Sequence, residues 1–130
     1  MMRNLLLMAL LVTGISACAQ KGGSNLDVNQ VSEMVAENQE IVLIDVRTPE
    51  EFQEGHLEGA KLINFYDTDF QEEIKKLDSA KKYVVYCRSG GRSSKSVSAM
   101  KKMGFTDVYN MSGGILAWKR AELELVKEGG

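Results

Sequence analysis

Val84-Val85-Tyr86-Cys87-Arg88-Ser89-Gly90-Gly91-Arg92-Ser93 is the stretch whose reading decides the fold. Tyr83-Val84-Val85-Tyr86 is short, wholly apolar and rich in β-branched and aromatic residues, which predicts a strand buried on both faces, as in a parallel sheet. Cys87 stands at its carboxyl end, and the loop Arg88 to Arg92 contains two glycines. Beyond it the spacing of Val97, Met100 and Met103 predicts a helix over about Ser93 to Met103, with Gly104-Phe105 as its stop. Strand, glycine loop and helix in that order form the repeating half of an α/β sheet.

The same alternation continues in both directions. Upstream, Ile41-Val42-Leu43-Ile44-Asp45-Val46 is a second buried strand, Pro49 opens a short helix through Phe52, and Gly55 and Gly59 punctuate the connection to a short strand at Lys61-Leu62-Ile63. Phe70, Ile74 and Leu77 recur at helical spacing, as do Val28, Val31, Met34 and Val35, with Asn29 as the expected N-cap. Downstream, Asp107-Val108-Tyr109 is a further strand, and Gly113-Gly114 introduces a last helix carrying Ile115 and Trp118. The reading is a small α/β domain with a central, mainly parallel sheet flanked by helices.

Composition narrows the functional classes. The 130 residues are 44% apolar and 26% charged, as in a globular protein with one domain's worth of sequence. A net charge of −2 and no long like-charge run give no electrostatic footprint for nucleic acid. Two cysteines and one histidine exclude a disulfide scaffold and a multi-cysteine zinc module, and no pattern points to a metal, nucleotide or flavin, so no cofactor is expected.

Cys87 is where chemistry is expected. A cysteine at the carboxyl end of a buried strand, ahead of a glycine loop and a helix, occupies the place where open α/β sheets bind ligands. The helix N-terminus, with Arg88 and Arg92 nearby, favours its thiolate, the nucleophilic form. Gly90 and Gly91 permit φ > 0, so that successive N–H groups can turn inward as an anion-binding nest.

Cys87 to Ser93 resembles the active-site loop of the rhodanese family. Ile44-Asp45-Val46-Arg47, with Glu50-Glu51-Phe52 and Gly55-His56-Leu57-Glu58-Gly59-Ala60, resembles its first signature, and Asn64 stands in the usual place. Met111-Ser112-Gly113-Gly114-Ile115-Leu116-Ala117-Trp118 resembles its closing one, so the likeness covers nearly all of residues 26–120. Glu58 departs from the pattern where a proline is common, a matter of loop stiffness. The resemblance implies a three-layer domain and sulfur transfer through a persulfide: Cys87 as nucleophile, Arg88, Ser89, Gly90, Gly91 and Arg92 binding the substrate anion, a small anionic sulfur donor, and a thiol or cyanide acceptor. Two other readings share the loop: a rhodanese-like binding module without catalysis, and a phosphatase or arsenate reductase. Cysteine phosphatases place five residues between cysteine and arginine, and here four intervene, a tighter cradle suited to a single sulfur.

The first 17 residues read as an address. Arg3 and Asn4, the apolar run Leu5 to Val12 and the small residues before Ala17 follow the layout of a signal peptide, and the run is shorter than the roughly 20 residues of a membrane-spanning helix. Ile15-Ser16-Ala17-Cys18 resembles the lipobox of bacterial lipoproteins, which implies cleavage before Cys18, its lipidation, and a membrane anchor in the bacterial cell envelope, facing the periplasm. The organisation expected is a signal peptide at 1–17, a flexible tether at 18–25, the domain at 26–124 and a tail at 125–130.

The remaining polar candidates have structural readings. His56 is expected to order its loop, Asp45 and Arg47 to hold an ion pair or hydrogen bond with Glu50 or Glu51, and Ser93, Ser94 and Ser96 to cap and pack the helix after the loop. Trp118 and the methionines at helical spacing are expected in the core.

Overall fold

The computed structural model describes residues 24–127; the leader, Cys18 and most of the tether lie outside the described residues. Ten elements follow in order: β1 (Asn25–Leu26), α1 (Val28–Glu37), β2 (Val42–Asp45), α2 (Pro49–Glu54), β3 (Lys61–Leu62), α3 (Phe70–Lys75), β4 (Tyr83–Tyr86), α4 (Gly91–Lys102), β5 (Val108–Met111) and α5 (Gly114–Arg120). The five strands form one sheet in the order β1-β5-β4-β2-β3. Every pairing is parallel, with Asp45 opposite Tyr86 and Val85 opposite Asn110.

Both faces of the sheet are covered, which is why its strands read as continuous apolar runs. One layer packs Ile44, Val46, Val85 and Cys87 against Phe70, Ile74, Val97 and Met100 of α3 and α4. The opposite layer packs Leu43, Val84 and Tyr86 against Val28 and Val31 of α1 and Ile115 and Trp118 of α5. Alternation along β4 therefore sends Val85 and Cys87 to the α3/α4 side and Val84 and Tyr86 to the other. The chain leaves β2 for β3 on one side and β4 for β5 on the other, so the carboxyl ends of β2 and β4 flank the topological switch point of the sheet, the place where open α/β sheets bind ligands.

Several local expectations are corrected. Helix α1 is capped by Asp27, not Asn29: its side chain accepts from Gln30 N (2.8 Å) while the Gln30 amide oxygen accepts from Asp27 N (2.9 Å), a reciprocal pair that Asn29, already inside the helix, cannot make. Asn25, assigned to the tether, pairs with Asn110 as part of edge strand β1, which is too short to show alternation in the sequence. Leu125 and Val126, assigned to the tail, pack on the domain, Val126 exchanging backbone hydrogen bonds with His56 (2.8 and 2.9 Å). Helix α4 starts at Gly91, so Gly91 and Arg92 form its first turn and leave a three-residue loop, Arg88 to Gly90. Leu77 and Met103 lie just past α3 and α4 and are half-buried, while Trp118, Met100 and Met111 are in the core.

Candidate active site

The Cys87 side chain sits at the switch point, 1% exposed. Its sulfur accepts a hydrogen bond from Gly90 N at 3.0 Å and lies 3.3 Å from the Ser93 hydroxyl. Burial pushes the thiol up, but hydrogen bonds from the Ser93 hydroxyl and from the backbone N–H groups of Ser93, Gly90 and Ser89 outweigh it and hold Cys87 below its ordinary value. Of the expected influences, the N–H groups at the start of the helix are among those that lower the thiol, joined by the Ser93 hydroxyl, and the charge of the two arginines is not among the leading ones.

Two glycines give the loop its shape. Gly90 has φ +113°, a left-handed backbone closed to most side chains, and this turn brings its own N–H back onto the sulfur of Cys87. Gly91 lies outside that region, so the expectation of φ > 0 at both residues holds for Gly90 alone: Gly91 has already entered the helix. The second conformationally required glycine lies far along the chain. Gly114 (φ +58°) presses α5 so closely on the loop that a Cβ there would overlap the carbonyl oxygens of Cys87 and Arg88. Those two carbonyls accept from Ile115 N (2.9 Å) and Leu116 N (3.1 Å). Because they point into the first turn of α5, the N–H groups of the loop are left to face the sulfur.

The anticipated anion-binding residues do not behave alike. Arg88 and Ser89, in the loop itself, are exposed. Arg92 is partly buried and donates through both terminal nitrogens to Glu51, Nη1 to Oε1 at 2.8 Å and Nη2 to Oε2 at 3.0 Å. Its guanidinium also lies 5.5 Å from the ring centre of Tyr66. The bidentate partner holds the Glu51 carboxylate down at about 2 and raises Arg92.

Asp45 and Arg47 do form an ion pair, but with each other and not with Glu50 or Glu51. Arg47 Nη2 reaches Asp45 Oδ2 at 2.7 Å, both side chains are buried, and Nη2 also donates to the Gly55 carbonyl at 2.7 Å. The pair braces the loop after α2, where Leu57 N donates to the Tyr86 hydroxyl (3.0 Å) and burial pushes the Tyr86 phenol up. His56 orders that loop: its ring stacks on Phe52 at 3.6 Å and Nδ1 donates to the Phe52 carbonyl (3.0 Å).

Three site residues escaped the sequence reading. Ser93, expected only to cap and pack, touches the sulfur and donates to Asn110 Oδ1 at 2.6 Å. Asn110, nearly buried, is in turn tied to β1 through Nδ2 to Asn25 Oδ1 (3.0 Å). A polar side chain near the end of an apolar strand was the available signal for it. Glu51 was visible as the last residue of Thr48-Pro49-Glu50-Glu51, a capping-box pattern; it does cap α2, and its second partner, Arg92, is 41 positions away.

Comparison with known proteins agrees with this geometry. The family model described as "Rhodanese-like domain" matches residues 27–121. The thiosulfate sulfurtransferase GlpE of Shewanella oneidensis is 32% identical over 97 residues, covering 75% of this chain and 93% of that protein. The probable adenylyltransferase/sulfurtransferase MoeZ of Mycobacterium tuberculosis is 35% identical over 98 residues, 75% of this chain, but the chain spans only 25% of that longer relative. Among solved structures, the rhodanese-related protein of Thermoplasma volcanium superposes with a TM-score of 0.72 at 26% identity, covering 80% of this chain and 98% of that one.

Proposed function

The chain belongs to the rhodanese-like domain family, and on that premise we propose that it moves a sulfane sulfur from a donor such as thiosulfate to a thiol or cyanide through a persulfide on Cys87. The supporting observation is the setting of the sulfur: a buried cysteine at the switch point, its thiolate favoured by Gly90 N–H and the Ser93 hydroxyl. In the first half-reaction the Cys87 thiolate attacks the outer sulfur of thiosulfate. A new S–S bond forms, the donor's S–S bond breaks, and its electron pair leaves with sulfite. In the second, the acceptor attacks the terminal sulfur and the Cys87 thiolate departs. This is covalent catalysis in two steps, and ping-pong kinetics follow from it.

The loop N–H groups would stabilise the persulfide's terminal charge as donors fixed in advance of the reaction, with Arg88 and Arg92 drawing in the anionic donor. Cys87 is the one cysteine among the described residues, and with Cys18 taken up by lipid its persulfide would be discharged by a second molecule. The test is intact mass: thiosulfate should add the mass of one sulfur atom, cyanide should remove it, and Cys87→Ser should show neither change. A protein that hydrolyses aryl phosphates yet takes no sulfur from thiosulfate or polysulfide would move the assignment to phosphatase chemistry. A protein inert in both assays that retains a partner would move it to a binding module.

The proposal extends to location. Cys18 at the end of Ile15-Ser16-Ala17-Cys18 is the lipid-modified first residue of the mature chain, holding the domain at a membrane of the bacterial envelope. Incorporation of a palmitate analogue should depend on Cys18, and unlabelled soluble export would overturn this part.

A further inference from the structure

Arg92 stands in the first turn of α4, close enough to Cys87 that the thiolate contributes to holding the guanidinium charged. Its charge is nevertheless matched by Glu51, which engages both terminal nitrogens. Glu51 is itself fixed: its Oε1 accepts from Thr48 N and the Thr48 hydroxyl, each at 3.2 Å, at the start of α2. The pair is largely withdrawn from solvent, with side chains 18% and 25% exposed, and it joins two helices across the mouth of the loop. Tyr66, 65% exposed, stands over the guanidinium from the rim. The mouth therefore presents a cation already neutralised on one edge, and its other nearby arginine, Arg88, is exposed to solvent.

We infer that Glu51 is a specificity-determining residue: by tying Arg92 and offsetting its charge beside the Cys87 loop, it restrains the preference for doubly charged sulfur donors over singly charged ones. This rests on the sulfurtransferase reading. The repulsion between the Glu51 carboxylate and an approaching donor scales with the donor's charge, so it weighs twice as heavily on a dianion as on a monoanion of the same approach. A residue that merely held Arg92 in place would, on its loss, weaken the attraction and lower loading, more for the dianion than for the monoanion.

The experiment compares kcat/KM for Cys87 loading from thiosulfate, a dianion, and benzenethiosulfonate, a monoanion, in the wild type, Glu51→Gln and Glu51→Asp. Glutamine keeps an oxygen to accept from Thr48 N, so the α2 cap survives, and an unchanged far-UV spectrum checks it. In Glu51→Gln the rate should rise roughly threefold for the monoanion and about tenfold for the dianion, the square of the same factor. Both gains should shrink as salt is raised. Glu51→Asp keeps the charge, so its ratio between donors should match the wild type. Equal factors for the two donors in Glu51→Gln, a fall for both, or the same shift in Glu51→Asp would overturn the inference. Wild-type protein that loads from neither donor, nor from polysulfide, would overturn the sulfurtransferase reading itself, a separate result.

Discussion

Cys87 shows how a buried thiol can be held below its ordinary pKa without a charged neighbour in contact. The cost of burying a thiolate is offset by direct donors, of which the Ser93 hydroxyl is the one side-chain contribution. A hydroxyl has one proton, and the Ser93 hydroxyl lies within reach of three acceptors: the sulfur at 3.3 Å, the Gly90 carbonyl at 3.2 Å and Asn110 Oδ1 at 2.6 Å. Turning from Asn110 toward the sulfur is how it would answer ionisation of Cys87. Ser93→Ala removes that donor and should raise the Cys87 pKa, moving the midpoint of iodoacetamide alkylation to higher pH. Below that midpoint alkylation should slow by about tenfold, the worth of a hydrogen bond to a charged group, with Cys87 still fully modified at high pH. An unmoved pH profile would show that the backbone donors suffice. The sequence made Cys87 and its loop legible because cysteine, glycines and arginines are contiguous. Ser93 was in view but its role was not, since a serine at a helix start reads as a cap until the sulfur is seen beside it.

At the scale of elements, the loop is shaped from behind by α5. The carbonyls of Cys87 and Arg88 are taken up by Ile115 and Leu116 N–H, and only glycine at 114 permits that approach. Gly114→Ala should destabilise the domain by about 2–3 kcal/mol in urea titrations, from a strained φ and a backbone clash, and should slow sulfur loading by displacing the loop. Gly91→Ala is the contrast: Gly91 is helical, a Cβ there would meet nothing within 4 Å, and its stability should hold or rise by up to about 1 kcal/mol. A Gly114→Ala protein as stable as the wild type would remove α5 from the account. The closing motif Met111 to Trp118 was legible as a strand end and a helix start. That its glycine serves a loop more than twenty positions earlier was not, because close backbone approach leaves no periodicity in the sequence.

Over the whole molecule, the Glu51–Arg92 pair ties α2 to α4 beside the Cys87 loop, and its acid response follows from the sign of the shift. Glu51 lies at about 2 in the folded protein against an ordinary 4.5, so the pair's contribution is present above about 4.5 and is lost as pH falls through about 2. The carboxylate is a quarter exposed, and solvent screening limits this contribution to about 1 kcal/mol. The stability difference between the wild type and Glu51→Gln, from urea titrations, should therefore be largest near pH 5 and shrink toward zero by pH 2; a difference unchanged across that range would mean the pair adds nothing through its charge. Local order was available from the sequence alone: apolar runs of four to six residues, helical spacings and glycine punctuation identified the buried strands, the helices and the loop after Cys87, because burial on both sheet faces leaves its mark residue by residue. The strand order, the short edge strand at Asn25–Leu26, the mutual pairing of Asp45 and Arg47, and the meeting of Glu51, Arg92, Ser93 and Asn110 around Cys87 were decided only by tertiary structure. Sequence periodicity records which side of an element is buried, whereas a polar contact between distant elements is set by how the sheet stacks them, and a glutamate that caps one helix carries no trace of the arginine it will meet on another.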